Sequence, residues 1–196
     1  YSDAQYNGNI SGTVWKSKGD GEKRMYDYSY DAANRILRAD FSQYDGSGFN
    51  QNAGLNFSMK IGDGAGSNSY DLNGNIKQMQ HWGLKAGVIT QIDNLSYNYK
   101  NGSNQLKNVI DANNDPNTTL GDFRTSSLHP VPVKDAFTVD YTYDDNGNLK
   151  KDLNKDIDDP SLAGIEYNHL NLPVKIRVKG KGSIEYLYDN GGNKLS

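Results

Sequence analysis

The stretch Tyr141-Thr142-Tyr143-Asp144-Asp145-Asn146-Gly147-Asn148-Leu149 predicts a β-hairpin. Tyr141 and Tyr143 are two residues apart, so in an extended chain both side chains point to the same face of a sheet. Asn146-Gly147 tolerates the positive φ angles that a two-residue hairpin turn requires. The stretch therefore indicates a strand, a two-residue turn and a returning strand.

This combination of tyrosine, polar turn, asparagine and aliphatic residue recurs along the chain. Close copies occupy residues 6–10, 70–76 and 186–195, and looser copies occupy residues 28–36, 97–106 and 167–174. With Tyr6, Tyr30, Tyr70, Tyr99, Tyr143, Tyr167 and Tyr188 as anchors, the steps are 24, 40, 29, 44, 24 and 21 residues. A self-similar period of this size is typical of a repeat array.

A recurring tyrosine has a direct physical use in such an array. Burying one tyrosine removes roughly 150–250 Å² from water, whereas an isolated hairpin is marginally stable because it has nothing to bury that surface against. Stacked hairpins supply the missing surface to one another. Each phenol oxygen then needs a hydrogen-bond partner, and we expect the Asp and Asn side chains beside the turns to provide it.

The repeated residues resemble the YD repeats of the Rhs family, named for the Tyr-Asp pair that stands here at 30–31, 70–71, 143–144 and 188–189. The connecting phrases 92–97 and 167–173 resemble those of long YD-repeat surface proteins of Bacteroidetes-type bacteria. The resemblance implies an all-β fold, a spiralling strip of antiparallel β-hairpins that winds into a hollow shell. Bacterial members hold a C-terminal toxin inside this shell, and animal teneurins use a similar shell for adhesion.

We expect residues 1–196 to form one YD-repeat array, with an irregular loop excursion at 111–137 where asparagine, glycine and proline interrupt the pattern. The sequence begins at Tyr1 and ends directly after a repeat motif, so we expect a fragment of a longer chain. Such a fragment would expose unpaired strand edges, which favours self-association or low stability of the isolated piece.

We expect the repeat tyrosines and the turn residues beside them to be architectural. The set is Tyr6, Gly8, Asn9, Tyr28, Tyr30, Asp31, Tyr70, Asp71, Gly74, Asn75, Tyr97, Tyr99, Tyr141, Tyr143, Asp144, Gly147, Asn148, Tyr167, Tyr186, Tyr188, Asp189 and Asn193. Trp15 and Trp82 each follow a repeat at a matching distance, which favours packing over a sugar-stacking platform.

Composition excludes several classes of function. The net charge of −3 provides no basic surface for nucleic acid. No apolar run approaches the 18 residues of a membrane-spanning helix. Cysteine is absent, so there are neither disulfides nor thiolate metal sites.

Two acidic segments are candidates for calcium binding. Residues 111–115 alternate carboxylate and amide oxygens, but Pro116 and Asp122 stand where a calcium loop needs glycine and a bidentate glutamate. Residues 152–159 are acidic with an interleaved lysine, and we interpret them as a solvated turn. We therefore expect no metal site and no cofactor.

No catalytic motif stands out. His81, His129 and His169 lack metal-ligand spacing. The glycine-rich residues 62–67 are not followed by Gly-Lys-Ser/Thr, so they indicate a turn and not a phosphate-binding loop. A hydrolase assembled from distant Ser, His and Asp residues is the enzymatic alternative, and we expect no enzyme activity.

The resemblance implies a structural wall segment of a large secreted or surface-displayed bacterial protein. Its partners would be neighbouring YD repeats of the same parent chain, an enclosed toxin polypeptide or the secretion machinery, with no nucleic acid and no membrane span. The alternative is an adhesion module that binds carbohydrate or a partner protein through exposed aromatic residues.

Overall fold

Antiparallel β-structure dominates the computed structural model of the chain, which describes residues 4–51, 53–113 and 121–196. The described residues contain no α-helix and one short 3-10 helix at Leu153–Lys155. The strands are β1 (Gly12–Lys16), β2 (Lys23–Tyr30), β3 (Ile36–Tyr44), β4 (Phe49–Asn50), β5 (Met59–Ile61), β6 (Gln78–Lys85), β7 (Val88–Tyr99), β8 (Leu106–Asp111), β9 (Tyr141–Tyr143), β10 (Leu149–Asp152), β11 (Ile165–Tyr167), β12 (Pro173–Val178) and β13 (Gly182–Glu185). The expected all-β class is therefore confirmed.

The chain divides into two compact units. Unit 1 comprises residues 1–97 and 111–123, and unit 2 comprises residues 98–110 and 124–196. In unit 1 the strands follow the hydrogen-bonded order β1-β2-β3-β5-β6-β7, and β4 pairs with β3. The prediction of one continuous repeat array stays a prediction.

Aromatic side chains form the core of unit 1 where β1, β2 and β3 meet. Phe41 is buried and its ring lies edge-on to Tyr26 and Phe57, with centroid distances of 5.5 Å and 5.3 Å. Trp15 stacks on Tyr26 at 5.5 Å. Such pairs add stability beyond the burial of their area. The predicted packing role of Trp15 is therefore confirmed.

Unit 2 contains smaller sheets. The end of β7 and the strand β8 flank a turn closed by the bond from Lys100 N to Gln105 O, at 2.9 Å. β9 pairs with β10, and β12 lies between β11 and β13. Its buried apolar side chains include Val109, Tyr141 and Ile165. The expected loop excursion at 111–137 begins inside β8, which ends at Asp111. Its other described residues, 112–113 and 121–137, contain no strand.

The predicted two-residue turn at Asn146-Gly147 is wrong. Asp144 N donates to Asn148 O at 2.9 Å and Gly147 N donates to Asp144 O at 3.0 Å, which encloses three residues in the loop. Gly147 has φ +86°, whereas Asn146 is not among the residues with positive φ. A type I turn followed by one left-handed residue is the usual form of a three-residue hairpin loop. The acceptor groups of Asp144 favour this longer form.

Candidate functional site

The repeat tyrosines make one contact that recurs along the chain. In each case the phenol hydroxyl donates to the backbone carbonyl oxygen of the first residue after the preceding turn. The pairs are Tyr30 to Ile10 (2.8 Å), Tyr70 to Ile36 (2.6 Å), Tyr143 to Leu106 (2.9 Å), Tyr167 to Leu149 (2.9 Å) and Tyr188 to Pro173 (3.0 Å). We call this contact the tyrosine junction. In these five places it links a hairpin to a preceding turn.

The tyrosine junction corrects the expected partner of the phenols. We expected Asp and Asn side chains beside the turns, but these five hydroxyls bind main-chain carbonyls. The carboxylates are occupied within their own turns. Asp144 Oδ1, for example, accepts from Asn146 N at 3.0 Å and from Asn148 N at 2.8 Å, while Oδ2 accepts from Asn148 Nδ2 at 3.0 Å.

The same turn geometry recurs at other repeats. Asp71 and Asp189 bind the backbone N–H groups two and four residues later, and each also accepts from the Asn side chain four residues later. Asp31 does the same with Arg35 as its side-chain partner. These hydrogen bonds favour the charged carboxylate and hold the pKa of each of these aspartates below its usual range. Asn168 provides the two backbone contacts without a charge.

Asparagine at the left-handed turn position links neighbouring turns. Asn171, with φ +59°, accepts through Oδ1 from Asn146 Nδ2 at 3.2 Å and from Asn148 Nδ2 at 2.8 Å. Asn34, with φ +63°, accepts in the same way from the amides of Asn7 and Asn9. The other repeat turns carry Gly at this position and have no side chain to make the contact.

This equivalence fixes where Tyr6 lies. Residues 6–9 match residues 145–148, so Tyr6 occupies the exposed turn tip and not the strand position of the junction tyrosines. Its side chain is 96% exposed, and Leu72 at the corresponding tip is fully exposed. Gly8, at φ +92°, occupies the left-handed position that Gly74 and Gly147 occupy in their turns.

The remaining repeat tyrosines lie within strands or against neighbouring side chains. Tyr28 stacks on Tyr26 at 6.0 Å, and Tyr97 and Tyr99 lie in β7. Tyr186 lies under the ammonium group of Lys194 at 3.9 Å. Their assignment as architecture stays a prediction.

A buried polar cluster in unit 2 was not expected. Its centre is Asp140, which is fully buried. Asp140 Oδ1 lies 3.0 Å from His129 Nε2, and Oδ2 accepts from Lys134 Nζ at 3.0 Å and from Asn154 Nδ2 at 2.9 Å. Val109 N also donates to Oδ2. A buried carboxylate requires this degree of pairing, because an isolated buried charge costs several kcal/mol.

The other members of the cluster are equally well bonded. Lys134 Nζ donates to Val109 O and to Asn154 Oδ1. His129 Nδ1 lies 2.9 Å from Val131 O and 3.1 Å from Val131 N, while Nε2 faces Asp140. The His129 side chain is 1% exposed. Both ring nitrogens are engaged and the ring is shielded from solvent, so the arrangement is suited to fixing the loop in place.

The interpretation of residues 152–159 as a solvated turn is wrong in part. Asn154 and Asp156 are buried, and Asn154 belongs to the polar cluster. Asp152 Oδ1 caps the 3-10 helix by accepting from Asn154 N. Burial raises the pKa of Asp152, the opposite direction from the turn aspartates. The segment is polar because it binds polar groups inside unit 2.

Three carboxylates converge in unit 1. One oxygen from each of Asp93, Asp111 and Asp122 lies within 4.8 Å of the others, a spacing that could hold a metal ion. Asp93 Oδ1 accepts from Phe123 N at 2.8 Å, and its Oδ2 lies 3.4 Å from His81 Nδ1. The group shares Asp111 and Asp122 with the calcium loop considered from residue 111 and adds Asp93, whereas residues 114 and 115 of that loop lie outside the described residues. The expectation of no metal stays a prediction.

Two further sequence candidates have structural explanations. At residues 62–67, Gly62 has φ +62° and a Cβ there would lie 2.2 Å from Ser67 O, so this segment is a close-packed turn. Trp82 lies under the ammonium group of Lys60 at 5.3 Å. The exposed His169 lies in the turn after β11.

Comparison with known proteins identifies no family. No protein-family model matches the chain, and no curated protein matches it. The resemblance to YD repeats therefore stays a prediction. Among the described residues, no helix is both long enough and apolar enough to cross a membrane.

Sequence reasoning missed the buried polar cluster because its members have no common spacing. His129 and Lys134 lie in the segment that the sequence predicts to be a loop, and Asn154 lies in the segment that it predicts to be a solvated turn. One signal was present: Asp140 directly precedes the strand that begins at the buried Tyr141. A carboxylate at the start of a buried strand needs partners from elsewhere.

Proposed function

We propose that this chain is a structural wall segment of a large secreted or surface-displayed bacterial YD-repeat (Rhs) protein. In this role it forms part of a hollow β-shell that encloses a C-terminal toxin or effector. The recurrence of the tyrosine junction in five places carries the proposal. A contact that repeats with the same donor and the same type of acceptor is what a periodic wall requires.

The wall would work by linking consecutive hairpins at regular intervals. The aromatic ring covers neighbouring backbone, and the hydroxyl pairs a carbonyl that would otherwise need water. Cations of the preceding turns add to this cover: Arg35 lies over the Tyr70 ring at 4.3 Å and Lys100 lies over the Tyr143 ring at 4.7 Å. The partners of the segment are then neighbouring repeats of the same parent chain, the enclosed polypeptide and the secretion machinery.

The test uses the longer protein that contains this segment. Electron microscopy of that protein should reveal a closed β-shell with residues 1–196 in its wall. The variant Tyr143→Phe/Tyr167→Phe should make the enclosed polypeptide more sensitive to added protease, because two tyrosine junctions are lost. Tyr6→Phe is the matched control, since Tyr6 is exposed. A particle without a cavity would refute the proposal.

We propose no enzymatic role for the segment. Two His–Asp pairs occur among the described residues. In the His81–Asp93 pair, His81 Nδ1 lies 3.4 Å from Asp93 Oδ2, and the His129–Asp140 pair is buried with both ring nitrogens engaged. A general base must reach the proton that it removes. A hydrolase screen of the chain, with His129→Asn as the comparison, should detect no activity that the substitution removes.

A second candidate is adhesion, and one observation favours it. The loop from His129 to Asp140 is held by the buried polar cluster and exposes apolar side chains. Phe137 is 83% exposed and Val133 is 85% exposed. Exposed apolar groups on a fixed loop suit a protein contact. Saturable binding to a purified partner or to a glycan array that is lost in Phe137→Ser, and retained in Trp82→Ala, would support this candidate over the tryptophan surface first considered.

A further inference from the structure

Five asparagine residues in the chain are directly followed by glycine: Asn7, Asn73, Asn101, Asn146 and Asn190. This dipeptide is prone to a spontaneous reaction in which the backbone nitrogen of the glycine attacks the side-chain carbonyl carbon Cγ of the asparagine. All five asparagines and all five glycines are exposed. Exposure therefore does not distinguish them, and hydrogen bonding does.

Three of the glycine nitrogens are held in hydrogen bonds. Gly74 N donates to Asp71 O at 3.1 Å, and Gly147 N donates to Asp144 O at 3.0 Å. Gly191 N donates to Asp189 Oδ1 at 2.9 Å. Each nitrogen must lose its proton and turn toward the asparagine side chain to react, so each hydrogen bond opposes the attack.

At Asn7 the side chain is held instead. Its Oδ1 accepts from Asn9 N at 3.1 Å, and its Nδ2 donates to Asn34 Oδ1 at 2.6 Å. These two contacts fix the orientation of the amide and oppose the rotation that would bring Cγ to the nitrogen of Gly8.

Asn101 has neither restraint. Within the described part of the chain, neither the Asn101 side chain nor Gly102 N makes a hydrogen bond. The bonds that close this turn run from Lys100 N to Gln105 O at 2.9 Å and from Ser103 N to Lys100 O at 3.1 Å, so they do not involve the reacting atoms. We propose that Asn101 is a site of spontaneous deamidation in the folded protein, and that the turns protect the other four asparagines.

The step balances without any oxidant or reductant. The bond between Gly102 N and Asn101 Cγ forms, the bond between Cγ and Nδ2 breaks, and ammonia leaves with the proton of the glycine nitrogen. Water then opens the resulting succinimide at one of its two carbonyl carbons, which gives aspartate or isoaspartate. Either product adds one negative charge to the turn between β7 and β8.

The test is incubation of the full chain at mildly alkaline pH, followed by peptide mapping with mass spectrometry. We expect Asn101 to convert about tenfold faster than Asn73 or Asn146. A tenfold ratio corresponds to ~1.4 kcal/mol, which is near the upper end of the net contribution of one hydrogen bond. In denaturant the five sites should convert at similar rates. Equal rates in the folded chain, or faster conversion at Asn73 or Asn146, would overturn the proposal.

A pair of variants tests the protective bond itself. Asp189→Ala removes the acceptor of Gly191 N, so Asn190 should convert at a rate close to that of Asn101. Asp189→Asn keeps an Oδ1 acceptor, as Asn168 does in its own turn, so Asn190 should remain slow. Opening of the whole turn in Asp189→Ala would also free Gly191 N, so it too would make Asn190 convert faster. If Asn190 converts equally slowly in both variants, hydrogen bonding does not control the reaction.

Discussion

The hydroxyl of Tyr167 donates a 2.9 Å hydrogen bond to the backbone carbonyl oxygen of Leu149, the first residue after the preceding turn. Burial raises the pKa of the Tyr167 phenol, so the group remains a neutral donor at physiological pH. The same relationship joins Tyr143 to Leu106. Removal of a single hydroxyl therefore tests the contact that carries the proposed function.

Tyr167→Phe should lower the free energy of unfolding by about 0.5–1.5 kcal/mol, because it removes one net hydrogen bond and keeps the ring. Urea titration followed by fluorescence measures the change. Tyr6→Phe should have almost no effect, since its hydroxyl is at an exposed turn tip. Equal losses in the two variants would mean that the tyrosine junction contributes nothing specific.

Asp144→Ala should destabilise its hairpin, since two turn N–H groups and the Asn148 amide lose their acceptor. Asp144→Asn should be milder, because Asn168 makes the two backbone contacts in its own turn with an amide oxygen. Hydrogen exchange of the N–H groups of residues 146 and 148 reports the effect locally. The interpretation fails if the asparagine variant exchanges as fast as the alanine variant.

The turn aspartates should make the chain sensitive to acid. Asp31, Asp71, Asp144 and Asp189 have lowered pKa values in the folded chain. Their contribution is fully present above the unfolded pKa of about 4 and is lost as pH falls through the folded pKa, since the unfolded chain binds more protons there. Asp152, with its raised pKa, acts in the opposite direction.

Thermal melting from neutral pH down to pH values well below 4 checks the acid response. The melting temperature should decline mainly below the unfolded aspartate pKa. Asp144→Asn should flatten the curve slightly, because one titrating turn group is gone. A melting temperature that stays constant in acid would contradict the assigned role of these carboxylates.

Asp140→Ala should be strongly destabilising, by roughly 3–5 kcal/mol, because it leaves Lys134 buried without its counter-charge. The double variant Asp140→Ala/Lys134→Met should recover part of this loss, since no buried charge is then unpaired. A double-mutant cycle by urea denaturation measures the coupling between the two residues. Additive losses would show that the pair is not coupled.

Gly62→Ala should cost at least about 2 kcal/mol, because it combines a left-handed backbone with a Cβ 2.2 Å from Ser67 O. Gly8→Ala is the matched control: it shares the positive φ, but its Cβ would meet no atom within 4 Å. A comparison of the two unfolding midpoints separates the steric clash from backbone strain. Similar midpoints would mean that the turn at residues 62–67 relaxes easily.

The sequence predicted the hairpins well where the pattern is local. Tyr143, Asp144 and Gly147 lie in one short stretch, and their spacing alone indicates a strand followed by a turn with a left-handed residue. The length of that turn was missed, because it depends on which N–H groups Asp144 binds. The junction acceptors were missed for a related reason. Leu149 and Leu106 act through backbone carbonyls, which every residue has and no sequence pattern marks.

The sequence by itself determined the all-β class, because alternating tyrosines and turn-forming Asp, Asn and Gly act over a few neighbouring residues. Only the tertiary structure decided the partners of the phenols and the cluster around Asp140. His129, Lys134 and Asn154 reach that carboxylate from irregular segments with no shared period. Their pairing arises from the cost of burying a charge, which depends on the completed fold and not on sequence spacing.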